Sequence, residues 1–153
     1  MRATKISQLV VIAAILGAIG FALSQILMGQ TARSLPVPAM AAGALWILGG
    51  SVGIWTYFAR PRLSRQVGTT PFPALVSARI AVLALSGSRT GAVIGGFYAG
   101  VSLASIAGID TPAGWSATIN GFLAALGGVL LVVSSLWLES LCVATDHGAA
   151  EES

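Results

Sequence analysis

Few residues in this chain could do chemistry, and most of those that could lie near its C-terminal end. Cys142 is the sole cysteine and His147 the sole histidine, five residues apart in a stretch that also holds Asp146. A cysteine nucleophile needs a base held within hydrogen-bond reach, and a polar tail gives neither neighbour a fixed position. One histidine without a second does not make a zinc site, and one cysteine cannot form an internal disulfide. Arg89 and Glu139 are more informative, because each lies beside apolar sequence where a lone charge is costly. Counted from a turn near Ala113, they fall at nearly the same depth on two antiparallel helices, which predicts an ion pair tying those helices together. Glycine spacing is the other regularity. Gly87, Gly91 and Gly95 recur every fourth residue, as do Gly96 and Gly100, and Gly49 and Gly53. These glycines sit in apolar sequence and not between a strand and a helix, so they cradle no phosphate. Their spacing instead suits close approach of helix backbones. No catalytic, metal or cofactor site is expected from these residues.

The elements that must position these residues are four apolar runs, over about 9–28, 37–58, 90–109 and 118–137. A helix rises 1.5 Å per residue, so about 20 residues cover the ~30 Å hydrocarbon core of a bilayer. Only 8% of the chain is charged and 56% is hydrophobic, against about 25% charged in an average soluble protein. Four such runs cannot all be buried inside so short a chain. The expected fold is all-α, a single integral membrane domain over residues 1–153 built as a four-helix transmembrane bundle. The first run is too long for a secretory signal and reads as an uncleaved span.

Charge placement then predicts orientation. Arg2, Lys5, Arg60, Arg62, Arg65, Arg79 and Arg89 fall on one side of the four spans and Arg33 on the other. Basic residues accumulate on the cytoplasmic side, which places both termini there, in the plasma membrane. The same placement argues against nucleic acid as the partner of a chain with net charge +3. Arg60, Arg62, Arg65 and Arg79 are instead candidates for lipid headgroup contacts. Short outer connections predict that helix 1 lies beside helix 2 and helix 3 beside helix 4.

Between the second and third runs, Pro71 and Pro73 block a continuous helix, and helical pattern resumes at Ala74. A helix from there to Ile109 would exceed the bilayer core. We therefore expect an interfacial helix over about 74–86, a bend near Ser86-Gly87-Ser88, and a span beginning at Arg89. That register leaves Arg89 at the boundary, where it avoids the ~2.5–3.5 kcal/mol cost of an arginine at a helix centre. The alternative register, Ile80 to Gly100, would bury it. Residues 142–153 are expected to form a disordered tail.

Ala78-Arg79, Thr90-Gly91-Ala92, Gly96-Phe97-Tyr98-Ala99-Gly100, Leu136-Trp137-Leu138-Glu139 and Cys142 together resemble an actinobacterial family of four-helix membrane proteins. That family is described only as a domain of unknown function, and its members are often encoded near folate-biosynthesis genes. The family pattern carries a basic residue about one turn before the position of Arg89, where this chain has Leu85. The resemblance covers nearly the whole chain and implies no activity. The residues themselves point to a non-enzymatic structural or accessory membrane protein acting through helix–helix contacts. Its partners would be the bilayer and either further copies of itself or a larger membrane complex. The alternative is a small transporter or channel subunit.

Overall fold

A computed structural model describes residues 6–31, 37–63 and 74–151; side chains are described except at 30–31, 61–63, 74–75, 77–78 and 142–151. The chain forms helices α1 (Ile6–Thr31), α2 (Ala39–Leu63), α3 (Ala74–Ser105) and α4 (Pro112–Glu151), with a short 3-10 turn at Ile106–Gly108. All four helices are long and apolar enough to cross a membrane, over Ile6–Gly29, Ala39–Arg60, Arg79–Gly108 and Pro112–Leu141. Their mean hydropathies are 2.4, 1.4, 1.5 and 2.1.

The order of helices in space differs from their order in sequence. α3 and α4 form a tight antiparallel hairpin; α1 packs on the far side of α3, and α2 on the far side of α4. The spatial order is therefore α1–α3–α4–α2, and the expected pairing of helix 1 with helix 2 is not formed. The second hairpin is wedged between the two arms of the first. Small residues explain why. Gly96 and Gly100 on α3 meet Ala13 and Gly17 on α1, and Gly91 and Gly95 meet Gly128 on α4. Backbones this close gain dispersion and lose little side-chain entropy, and in lipid that outweighs adjacency in sequence. α1 consequently runs parallel to α3, and α2 parallel to α4.

Val37, just before α2, lies at the turn end of the central hairpin. Val37 is buried against Val101 and Ala117, and the Asn120 Nδ2 donates to the Val37 carbonyl at 3.3 Å. Two other clusters follow along the hairpin. One gathers Ala42 and Leu45 with Ala124 and Leu131; the other gathers Ala59 with Ile80, Ala84 and Leu138.

The hairpin turn itself is fixed by local chemistry. Thr111 Oγ1 accepts from the Gly114 N–H at 3.1 Å, capping α4, while Pro112 occupies the first helical position, where its missing N–H costs nothing. A side chain at Gly114 would strike the Gly108 carbonyl, so the turn admits no other residue there without opening.

Two expectations about the helix ends are corrected. α3 is one continuous helix, with neither a separate interfacial helix over 74–86 nor a break at Ser86-Gly87-Ser88. Ser86 and Ser88 donate to the Leu83 and Leu85 carbonyls at 2.9 and 3.0 Å, which satisfies their hydroxyls within the helix. Ile80 and Ala84 are buried against Leu138, so packing on α4 holds this segment in line. The tail expected to be disordered is helical backbone as far as Glu151. Ala144, Ala149 and Ala150 favour helix, no proline interrupts, and Gly148 alone costs about 1 kcal/mol.

Candidate functional site

The glycines singled out by spacing all lie in helix contacts, and both rows on α3 are used within the chain. A Cβ at Gly91 would lie 2.9 Å from the Gly128 carbonyl oxygen, and one at Gly95 would lie 3.1 Å from the Gly128 Cα. At Gly96 and Gly100 it would meet the Ala13 and Gly17 carbonyls. Gly87 lies against the Ser135 hydroxyl, with 2.6 Å from its would-be Cβ to that Oγ. On α2, Gly49 lies against the backbone of Leu130 and Leu131, and Gly53 stands 3.6 Å from the Ser134 Cβ. One α3 row therefore faces α4 and the other α1, which leaves no glycine face of α3 for an outside partner.

These contacts fix the register of α3 against α4: Gly95 lies beside Gly128, Gly91 beside Val132, and Gly87 beside Ser135. Extended by the same rule, Arg89 is level with Ser134, and Glu139 is level with Ala84. The expected ion-pair partners thus differ by five residues of rise, roughly 7–8 Å. Glu139 is half-buried and has a contact of its own; Arg89 is exposed, and among the described residues no ion pair joins the two. The counting failed because the hairpin turns closer to Thr111 than to Ala113, and each residue of displacement shifts the match by two. Against α1, Arg89 is level with the first turns of that helix near Leu9.

Arg60 and Arg79 are exposed at the ends of α2 and α3 nearest the chain termini. Arg62 lies in α2 with its side chain outside the described residues, and Arg65 is wholly outside them. The side chains of Cys142, Asp146 and His147 are also outside. Among the described residues, no group of three or more His, Cys, Asp or Glu is placed to hold a metal.

Buried hydroxyls are mostly satisfied by their own helices. Thr56 donates to Val52, Ser105 to Val101 and Ser134 to Leu130, at 2.7, 2.9 and 2.9 Å. Ser102 is different, donating to the Thr118 carbonyl of α4 at 2.9 Å. Among the described residues, Ser24 and Ser135 are buried with no partner for their hydroxyls. Trp46, in the middle of the α2 span, donates its Nε1–H to the Leu123 carbonyl at 3.0 Å. Sequence reasoning missed that bond, whereas the polar residues Asn120 and Ser102 within the apolar runs are of the kind that such reading assigns to hydrogen bonds between segments.

It also missed a groove. Between α1 and α4, floored by α3, lies an open depression of about 590 Å³ lined almost wholly by apolar and small residues. Ala14, Gly17 and Ala18 form one wall, Gly96 and Ala99 the floor, and Ala125 and Val129 the other wall. The signal was present as small residues at four-residue spacing on α1, Ala13 with Gly17 and Ala14 with Ala18.

Neither a curated protein nor a solved structure matches the chain. A family model does match, over residues 9–146, a stretch that takes in all but the first three residues of the four spans, with both glycine rows, the groove and Arg89. The chain therefore belongs to the family described as "Protein of unknown function (DUF3180)".

Proposed function

We propose that this protein is a non-enzymatic accessory or structural component of the plasma membrane, acting through lateral contacts of its outer helices. The observation that carries the proposal is the uneven burial of the four spans. Within the chain, 50% and 44% of the α3 and α4 windows are buried, but only 11% and 22% of the α1 and α2 windows. Each outer helix uses one face on the hairpin and leaves the rest free. On α2 that free surface carries Ile47, Ile54, Trp55 and Phe58; on α1 it carries Val11, Ile15, Ile19 and Ile26. Trp55 and Phe58 lie at the end of the α2 span, where aromatic belts occur, while the large side chains further in offer the dispersion and shape that helix–helix recognition uses. The basic residues near the chain termini, Arg60 and Arg79 among them, orient these helices with both termini in the cytoplasm.

A photo-crosslinking residue placed at Ile47 or Phe58 in the full-length protein, in native membranes, should give one protein adduct of fixed mass. The same residue placed at the buried Leu45 should give none. Adducts with lipid alone from both outward positions would defeat the reading. Labelling of Gly95→Cys and Ser102→Cys by a membrane-impermeant thiol reagent would defeat it too, and would favour the small transporter or channel subunit instead.

A further inference from the structure

We infer that the groove between α1 and α4 seats one acyl chain of an anionic phospholipid whose phosphate is held by Arg89. The inference depends on the chain crossing a bilayer but not on the accessory role proposed above.

Two observations meet here. The first is the groove: about 590 Å³, apolar, and open to the side, with a floor of Gly96 and Ala99 too small to fill it. Its lining residues on α3 run from Gly95 to Leu103, within the apolar part of that helix. Such a depression in a membrane protein holds hydrocarbon in one form or another, since water has no polar partner there. The second is the charge. Arg89 is exposed, and among the described residues no ion pair or hydrogen bond engages its guanidinium.

Arg89, Gly96 and Gly100 are separated by seven and eleven residues, close to two and three helical turns, so they share one face of α3. Gly96 and Gly100 pack on α1 along one edge of the groove, which places Arg89 on that α1-facing edge and roughly 10 Å toward the chain termini. It is level with the start of the α1 span but ten residues inside the α3 span, so its long side chain must snorkel toward the headgroups of that leaflet.

The occupant is specified by this pairing. A neighbouring helix would fill the apolar half and leave the cation without a counter-charge. A phospholipid satisfies both at once, with its phosphate accepting charge-assisted hydrogen bonds from the guanidinium and one chain lying along Ala99. Anionic lipid is favoured over zwitterionic lipid because no carboxylate among the described residues pairs with Arg89, so a headgroup ammonium has no partner there.

The test uses the full chain purified in mild detergent, with native mass spectrometry after addition of phosphatidylglycerol or phosphatidylcholine at equal concentration. One phosphatidylglycerol should be retained per chain, at least fivefold in excess of phosphatidylcholine. Arg89→Gln should abolish that preference, and Arg79→Gln should leave it unchanged. Ala18→Phe, which fills the groove from an exposed wall position, should lower retention of both lipids with Arg89 intact. Thermal unfolding in detergent should be unchanged in all three variants; if Ala18→Phe fails to fold, Val129→Trp fills the same groove from α4. Equal retention of the two lipids overturns the inference. So does a preference that survives Arg89→Gln, or retention that survives groove filling. A dimer lost on groove filling, with no lipid retained by the unmodified chain, would assign the groove to a second copy and also overturn it.

Discussion

The central hairpin and the two flanking helices are built of the same kinds of residue yet are held by different means. α3 and α4 bury about half of their spans and meet along Gly87, Gly91, Gly95 and Gly128, where backbones touch. α1 and α2 bury much less and are each attached along one stripe. For α1 that stripe is made of Ala13, Gly17 and Gly20; for α2 it is Gly49 and Gly53 with Leu45, reinforced by Trp46. Apolar composition cannot make this difference, since lipid is as apolar as leucine. The difference comes from where the smallest residues are. The protein has a core in the membrane because a few positions carry no side chain, and a periphery where large side chains face outward.

The comparison breaks outright if the helix order is wrong, so the largest expected effect is all-or-none. In a Cys142→Ser background, Gly53→Cys with Ser134→Cys should form a disulfide between α2 and α4. The 3.6 Å separating their Cβ positions lies within the usual ~3.5–4.5 Å range for a bridge. Ile19→Cys with Gly43→Cys, exposed positions at similar depth on α1 and α2, should not cross-link. The reverse result would mean that helix 1 lies beside helix 2 after all.

Next in size are substitutions that put bulk between backbones. Gly128→Leu and Gly96→Leu force main chains apart, at a cost of about 1–3 kcal/mol or more, read as loss of thermal stability in detergent. Gly43→Leu, with nothing within 4 Å of its Cβ position, should be neutral or slightly stabilising. Equal losses at Gly43 and Gly96 would remove the distinction between contact and lipid-facing glycine.

Smaller effects sharpen the picture at single bonds. Trp46→Phe keeps the ring and loses the Nε1–H to Leu123, which should loosen α2 from α4 by about 0.5–1.5 kcal/mol. Ser135→Ala should do the least. Its hydroxyl is buried without a partner, so removing it costs nothing and relieves an unsatisfied donor. A large destabilisation from Ser135→Ala would reveal a bond that the structure does not contain.

Element type and number were legible in the sequence because twenty-odd apolar residues without charge leave the chain little choice. The helix order was not. The inference from short loops assumed that adjacent spans pack, and it gave no weight to Ala13 and Gly17, whose fit to Gly96 and Gly100 decides which helix α1 joins. The Arg89–Glu139 pairing failed for a related reason, since depth counted from a turn is only as good as the turn's centre. Gly87 was read as a bend between serines, whereas the serine hydroxyls bond backwards along the helix and the glycine admits Ser135. The groove lay beyond reach of any single-helix pattern, because its walls come from α1 and α4 and its floor from α3.

The helix order α1–α3–α4–α2, with Val37 seated at the closed end of the second hairpin, has a consequence for how the chain is made. The first two helices emerge from the ribosome with no lasting grip on one another, since the surfaces they need belong to residues not yet synthesised. They must stay apart in the bilayer, tethered only by their link, until the later pair arrives and slides between them. Assembly then finishes from the last part made, and a chain arrested before α4 would leave α2 unclaimed and the α4-facing side of α3 bare for quality-control proteases to find.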